Sequence, residues 1–205
     1  MQDIMRRWHD IKIIIAAKSR QGFVLYLLVM LKSMPVYSED TALHFYRPLS
    51  DSATHHPITI TEKKSGVCLQ QSHYIKREDA WRCVAEGVIF DPCFVAPYGP
   101  HTQAVCAESP WSTQGIEIRV SHPLDNKTHQ TLDMSRTFPW AMELSNGQKC
   151  QAFESEKQID GLPVRYRCDK DRVLIGHVQR CNSEWKMLQH TEQGVEPVVI
   201  RQAWF

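Results

Sequence analysis

All seven cysteines of the chain lie between Cys68 and Cys181, and none precedes them. That placement limits the fold more than any periodicity does, because cysteines cross-link, ligate metal or attack substrates only at particular spacings. A structural zinc site takes closely spaced pairs, typically C-x2–4-C, so that one turn presents two ligands. Here the successive gaps are 15, 10, 13, 44, 18 and 13 residues. His55 and His56 are adjacent in a polar stretch, and no HxH or HExxH motif accompanies the cysteines. The spacing therefore names no metal ligand and no cofactor, and disulfides are the expected use of the thiols.

The stretch ahead of the cysteines supports that expectation. Residues 22–30, GFVLYLLVM, form a nine-residue apolar run behind Arg6, Arg7, Lys12, Lys18 and Arg20 and ahead of LKSMPVYSED. A basic region, a short apolar region and small residues before an acidic start form the plan of a secretory signal peptide. Val36 and Ser38 occupy the two positions that matter before a cut ahead of Glu39, so residues 1–38 are read as a removable leader. A bilayer takes about 20 apolar residues, so no stable transmembrane segment is expected after processing. No cysteine follows the run closely enough for lipid attachment. The leader holds six basic and two acidic residues, leaving 18 Lys and Arg against 21 Asp and Glu in the remainder. Such a balance argues against a nucleic-acid binder that works through bulk charge. Export places the chain in the periplasm or outside the cell, where disulfides persist. A cytosolic redox or metal protein is the alternative, and it predicts reduced thiols and an uncut leader.

Residues 39–66 are polar with little periodicity beyond ITIT, and read as an N-terminal arm or linker with room for one edge strand. Residues 67–205 differ: Gly-, Pro- and Asn-marked turns separate short runs of period two. In GIEIRV, Ile116, Ile118 and Val120 share a face opposite Glu117 and Arg119. In WAMEL, Trp140, Met142 and Leu144 alternate with Ala141 and Glu143, and the following Asn-Gly is a strong hairpin signal. VRYRC sets Val164, Tyr166 and Cys168 against Arg165 and Arg167; VLIGHV, EWKML and VVIRQAWF complete an antiparallel meander. One helical turn is expected near KREDAW. The fold class is mainly β, an antiparallel sheet or sandwich with disulfide cross-links.

The stretch DAWRCVAEGVIFDPCF limits the pairing. A two-residue turn at Glu86-Gly87 sets Cys83 opposite Phe90, Arg82 opposite Asp91 and Ala80 opposite Cys93. Side chains alternate faces along a strand, so Cys83 and Cys93 are expected on opposite sides of the hairpin and not bonded to each other. The nearest partners are Cys68 for Cys83 and Cys106 for Cys93, and Cys150 and Cys168 lie on neighbouring strands. Six cysteines allow 15 connectivities, and Cys68-Cys83, Cys93-Cys106 and Cys150-Cys168 is the preferred one. Cys181, in the polar turn QRCNSEW, is left as a free thiol.

No catalytic residue is assigned. Ser183 and Lys186 match the S-x-x-K spacing, but that chemistry needs successive turns of a helix, and this segment reads as a turn leading into a strand. Asp79 is expected to open a turn and Asp91 to pair with Arg82, while the tryptophans fill the core. An aromatic platform for carbohydrate or peptide is the functional alternative for a tryptophan. The motifs DAWRC, IFDPCF, AVCAESPW, PWAMELSNGQKC, VRYRC and the final AWF resemble a pattern in uncharacterised exported bacterial cysteine-rich domains, in actinobacterial secreted proteins and kinase-associated extracellular regions. The resemblance spans about residues 68–205 and includes Cys68, Cys83, Cys93, Cys106, Cys150 and Cys168; Cys181 departs from it. It implies a scaffold and no particular activity. The expected role is therefore a non-catalytic exported domain that binds a protein or glycan of the cell envelope or host, with an envelope hydrolase of scattered catalytic residues as the alternative.

Overall fold

The structure is a computed structural model, and it describes residues 40–49, 58–169 and 172–205. The expected leader, residues 1–38, lies outside these. The fold is mainly β and cross-linked by disulfides, and its strands form two small closed barrels.

The first barrel contains β2 (Thr59–Gln71), β3 (Ala80–Ala85), β4 (Val88–Val95), β5 (Gln103–Cys106) and β6 (Gln114–Val120). One overlong strand closes it. The first half of β2 runs parallel to β6, from Thr59↔Gln114 to Gly66↔Val120. Its second half runs antiparallel to β3, from Val67↔Val84 to Gln71↔Trp81. At the changeover, a Cβ on Gly66 would lie 2.5 Å from the Val84 carbonyl oxygen and 3.0 Å from Ala85 Cβ, so glycine alone lets the three strands meet. Cys68, Trp81, Cys83, Cys93, Cys106 and Ile118 fill the interior. Ile116 and Val120 point the same way as Ile118, while Glu117 turns outward to Lys63 and Arg119.

The second barrel is built from β7 (Ala141–Leu144), β8 (Lys149–Ala152), β10 (Leu162–Cys168), β11 (Val173–Gln179), β12 (Trp185–Thr191) and β13 (Gly194–Trp204), with the two-residue β9 (Gln158–Ile159) beside β10. It too is closed by one long strand: β13 pairs with β12 from Gly194 to Ile200 and with β7 from Ile200 to Trp204. The SNG turn joins β7 to β8 with Gly147 at φ +79°, a three-residue loop in place of the two-residue turn that Asn-Gly by itself suggests. Met142, Leu144, Tyr166, Leu174, Met187 and Ile200 form the interior. Where β12 and β13 diverge, Thr41 fills the gap: its Oγ1 accepts from Trp185 N at 2.8 Å and donates to the Ile200 carbonyl at 2.6 Å. β1 (Ala42–His44) then continues parallel to Gln202–Trp204.

Four expectations are corrected here. The boundary between arm and domain at residues 66 and 67 falls inside β2, whose polar first half is half of the barrel closure. Residues near KREDAW form bends and turns, and no α-helix occurs among the described residues. Asp79 does not simply open a turn; it is buried against Arg77. Finally, Cys83 and Cys93 face the same interior. Cys83 does lie opposite Phe90, but Trp81, not Ala80, lies opposite Cys93. Arg82 alone therefore faces Asp91 and Pro92, a β-bulge. One extra residue reverses the alternation, and proline is tolerated there because a bulge needs no ladder N–H.

Candidate functional site

The six paired cysteines sit on directly opposed strand positions. Cys68↔Cys83, Cys93↔Cys106 and Cys150↔Cys168 are register partners as well as disulfides. All three bonds lie within one barrel or the other and none joins the two. Cys181 is a free, exposed thiol in the turn between β11 and β12. Ser183 lies in that same turn and Lys186 on β12, so the S-x-x-K pair is not on a helix. Trp81, Trp140 and Trp204 are buried in the cores.

The seam between the barrels is a third core, with Tyr46, Phe94, Trp140 and Trp204 at its centre. Tyr46 stands edge-on to Phe94 at 5.2 Å and lies 5.5 Å from Trp140. Arg77, 1% exposed, crosses this seam. Its guanidinium pairs with Asp79 and donates to the Phe205 carbonyl at 2.7 Å and the Tyr46 carbonyl at 2.6 Å.

Where the seam reaches the surface it opens into a cleft of about 530 Å³. Four chain segments build it: the loop after β2 with His73 and Tyr74, the approach to β7 with Phe138 and Pro139, residues 152–156, and β10 from Pro163 to Tyr166. Tyr166 fixes one wall by donating its hydroxyl to the Pro139 carbonyl at 2.6 Å, and burial pushes that hydroxyl's pKa well up.

At one end of the cleft a polar network crosses from barrel to barrel. His73 Nδ1 lies 2.5 Å from Glu154 Oε1, and His73 Nε2 lies 3.0 Å from the Gln70 amide nitrogen. Arg82 Nη1 also lies 3.0 Å from Nδ1, so Nδ1 meets a guanidinium that can only donate and, in the His73–Glu154 bond, a carboxylate that accepts. That bond, ahead of the nearby Arg82 charge, holds the Glu154 carboxyl below the ordinary glutamate range. Asp91, on the bulge, accepts from Ser72 Oγ at 2.5 Å and His73 N at 3.0 Å, with Arg82 at 3.3 Å. Burial nevertheless raises its carboxyl above the usual value, outweighing those three partners. A second cleft of about 360 Å³ opens on the first barrel beside Asp91, Glu108 and Gln114.

Chemically the network is closed on itself. Ser72 is fully buried and its hydroxyl serves Asp91 and the N–H groups of Tyr74 and Ile75. Both nitrogens of His73 are engaged, so serine and histidine form no nucleophile–base pair. What the cleft presents outward is an aromatic and proline floor beneath a carboxylate lip. Of this site the sequence reading found only the Arg82–Asp91 pair; His73 and Glu154 are 81 residues apart and carry no shared motif.

The chain matches no family model, no curated protein and no solved structure. No helix among the described residues is long and apolar enough to cross a membrane.

Proposed function

We propose that this chain is a non-catalytic, exported bacterial domain that binds a protein or glycan of the cell envelope or host at the seam cleft. The observation that carries the reading is the set of three disulfides on opposed strand positions inside the barrels. Such bonds persist in oxidising compartments and are rare in the cytosol, which supports the periplasm or the exterior. The leader-like run at residues 22–30 supports the same compartment. Binding is favoured over catalysis because the histidine, serine and buried aspartate at the cleft satisfy one another, whereas a hydrolytic site keeps a nucleophile within reach of its base and open to substrate. The resemblance to exported cysteine-rich domains agrees with a scaffold of this kind.

Intact-mass analysis of the protein recovered from its native host tests the reading. The expected mass is that of a chain starting at Glu39 with six oxidised cysteines and one free thiol. A chain retaining Met1 with seven free thiols would overturn it.

A further inference from the structure

We propose that Asn146 and Gly147 form a latent self-modification site, a cyclic-imide reaction that the folded β7–β8 turn holds shut and that opening of the second barrel releases. The reaction is independent of the binding reading and of the cleft.

The chemistry is easiest where glycine follows asparagine. Of the three asparagines, Asn126 precedes Lys127, Asn182 precedes Ser183 and only Asn146 precedes glycine. Gly147 has no Cβ to shield its backbone nitrogen. Once deprotonated, that nitrogen attacks the side-chain carbonyl carbon of Asn146. The new N–C bond closes the imide as the Cγ–Nδ2 bond breaks, and ammonia leaves with the proton. Water, the only co-reactant, then opens the ring. Attack at Cγ gives aspartate, whereas attack at the backbone carbonyl carbon gives isoaspartate, with the main chain rerouted through Cβ and Cγ. Asn146 and Gly147 are both exposed, so water and hydroxide reach them.

The folded turn opposes the first step at each atom it needs. Gly147 N donates to the Leu144 carbonyl at 2.9 Å, which retains the proton that must leave. Leu144 N donates to the Gln148 carbonyl at 2.9 Å, so the loop is closed from both sides. The Asn146 side chain is held as well. Its Oδ1 accepts from Gln148 N at 3.0 Å, and its Nδ2, the departing nitrogen, donates to Gln148 Oε1 at 3.1 Å. Gln148 Oε1 also accepts from Gln189 Nε2 at 2.8 Å, and Gln189 on β12 is 1% exposed. A buried residue of the barrel therefore braces the reacting amide through Gln148, and the brace is lost when the hairpin leaves the barrel.

The product cannot return to the same turn. An isoaspartyl link puts an extra carbon into the main chain between Leu144 and Gln148, the two residues whose backbone bond closes the loop. The next rungs are Glu143↔Lys149 and Met142↔Cys150, and Cys150 carries the disulfide of this barrel. A barrel that stays open long enough to react thus closes on an altered hairpin, and the modification records the opening.

The test compares the disulfide-intact protein, native or unfolded in guanidinium chloride, at one mildly alkaline pH. Pepsin fragments made in acid are followed for a mass gain of about 1 Da, with aspartate and isoaspartate separated by chromatography. The native chain should react at Asn146 at least about tenfold more slowly than the unfolded one, because the turn must first open. Gln148→Ala, with native amide shifts outside the hairpin, should react about threefold or more faster than the wild type, the worth of one hydrogen bond. Cys150→Ala/Cys168→Ala should be faster than the wild type by at least the same factor. Equal rates in the native and unfolded chains would overturn the proposal. So would a folded Gln148→Ala or a disulfide-free variant that reacts no faster, or a mass gain found at Asn126 or Asn182 instead.

Discussion

Asp91 shows how one side chain ties the bulge to the cleft. It is nearly enclosed, 4% exposed at its side chain, yet it holds the loop carrying His73 through Ser72 Oγ and the His73 N–H. Three donors would ordinarily favour the carboxylate; burial wins, and its carboxyl is raised above the ordinary value of 3.8. The native state therefore keeps this proton to higher pH than the unfolded chain does. Stability from the protonated form is complete below the unfolded value near 3.8 and declines as pH rises through the folded value. Asparagine cannot ionise, so Asp91→Asn should lack this dependence, whatever constant offset the lost acceptor geometry adds. Urea unfolding across that window should show the wild-type advantage over the variant shrinking as pH increases. A difference that is flat or grows with pH would mean that the three donors, not burial, dominate. Glu154 behaves oppositely: held low by His73, it favours the native state above the ordinary glutamate range and loses that contribution on acidification. It is more than half exposed, so solvent screens the effect.

At the scale of strands, the disulfides act as register pins. Each joins residues already opposed in a ladder, so each forbids the one-residue slip that would turn a whole strand inside out. The second barrel has a single such pin, Cys150–Cys168, closing a separation of 18 residues. Replacing both by alanine should cost about 3 kcal/mol in the chain-entropy account, read as a lower urea midpoint, and the buried volume left behind adds to it. A loss below about 1 kcal/mol would show that the ladder holds its register without the bond. Much of this scale was legible in the residues. Period-two runs such as GIEIRV and VRYRC put the expected apolar side chains toward the cores, although Glu117 on the opposite face of GIEIRV is itself buried beneath its partners Lys63 and Arg119. Three things were not legible, for different physical reasons. The first half of β2 buries little until Cys68, and it joins the barrel through backbone pairing that side-chain pattern does not encode. Its polar composition therefore read as a linker. The bulge at Asp91 and Pro92 adds a residue on one strand only, and strict alternation carried past it assigns Cys93 to the wrong face. Closure itself depends on β2 meeting β6 and β13 meeting β7, contacts distant in sequence with no local signature.

For the molecule as a whole, the question is what makes two barrels one body when no covalent cross-link joins them. The answer lies in the seam: an aromatic core of Tyr46, Phe94, Trp140 and Trp204, and the buried Arg77–Asp79 pair. Arg77 belongs to the loop after β2 in the first barrel, and its donors reach the carbonyls of Phe205 and Tyr46, which cap the end of β13. It also lies 5.4 Å from the centre of the Phe94 ring. Removing the cation leaves a carboxylate and two carbonyls in a dry seam, a mechanism that typically costs about 3–5 kcal/mol. Because the loss falls at the junction and leaves both barrel interiors intact, Arg77→Met should do more than lower the urea midpoint. It should split one cooperative transition into two, with the near-ultraviolet signal of the seam tryptophans lost before the far-ultraviolet signal of the strands. Arg77→Met/Asp79→Leu should recover part of the loss, since replacing both charges removes the uncompensated carboxylate. A single transition in Arg77→Met, with a loss under about 1 kcal/mol, would place the coupling in the aromatic packing alone. The cleft would inherit the same outcome. Its walls come from both barrels, so a seam that opens early should release the His73–Glu154 bond with it. Histidine ring shifts in Arg77→Met at denaturant concentrations between its two transitions provide the measurement, and a His73 signal still at its native position there would separate the cleft from the clamp.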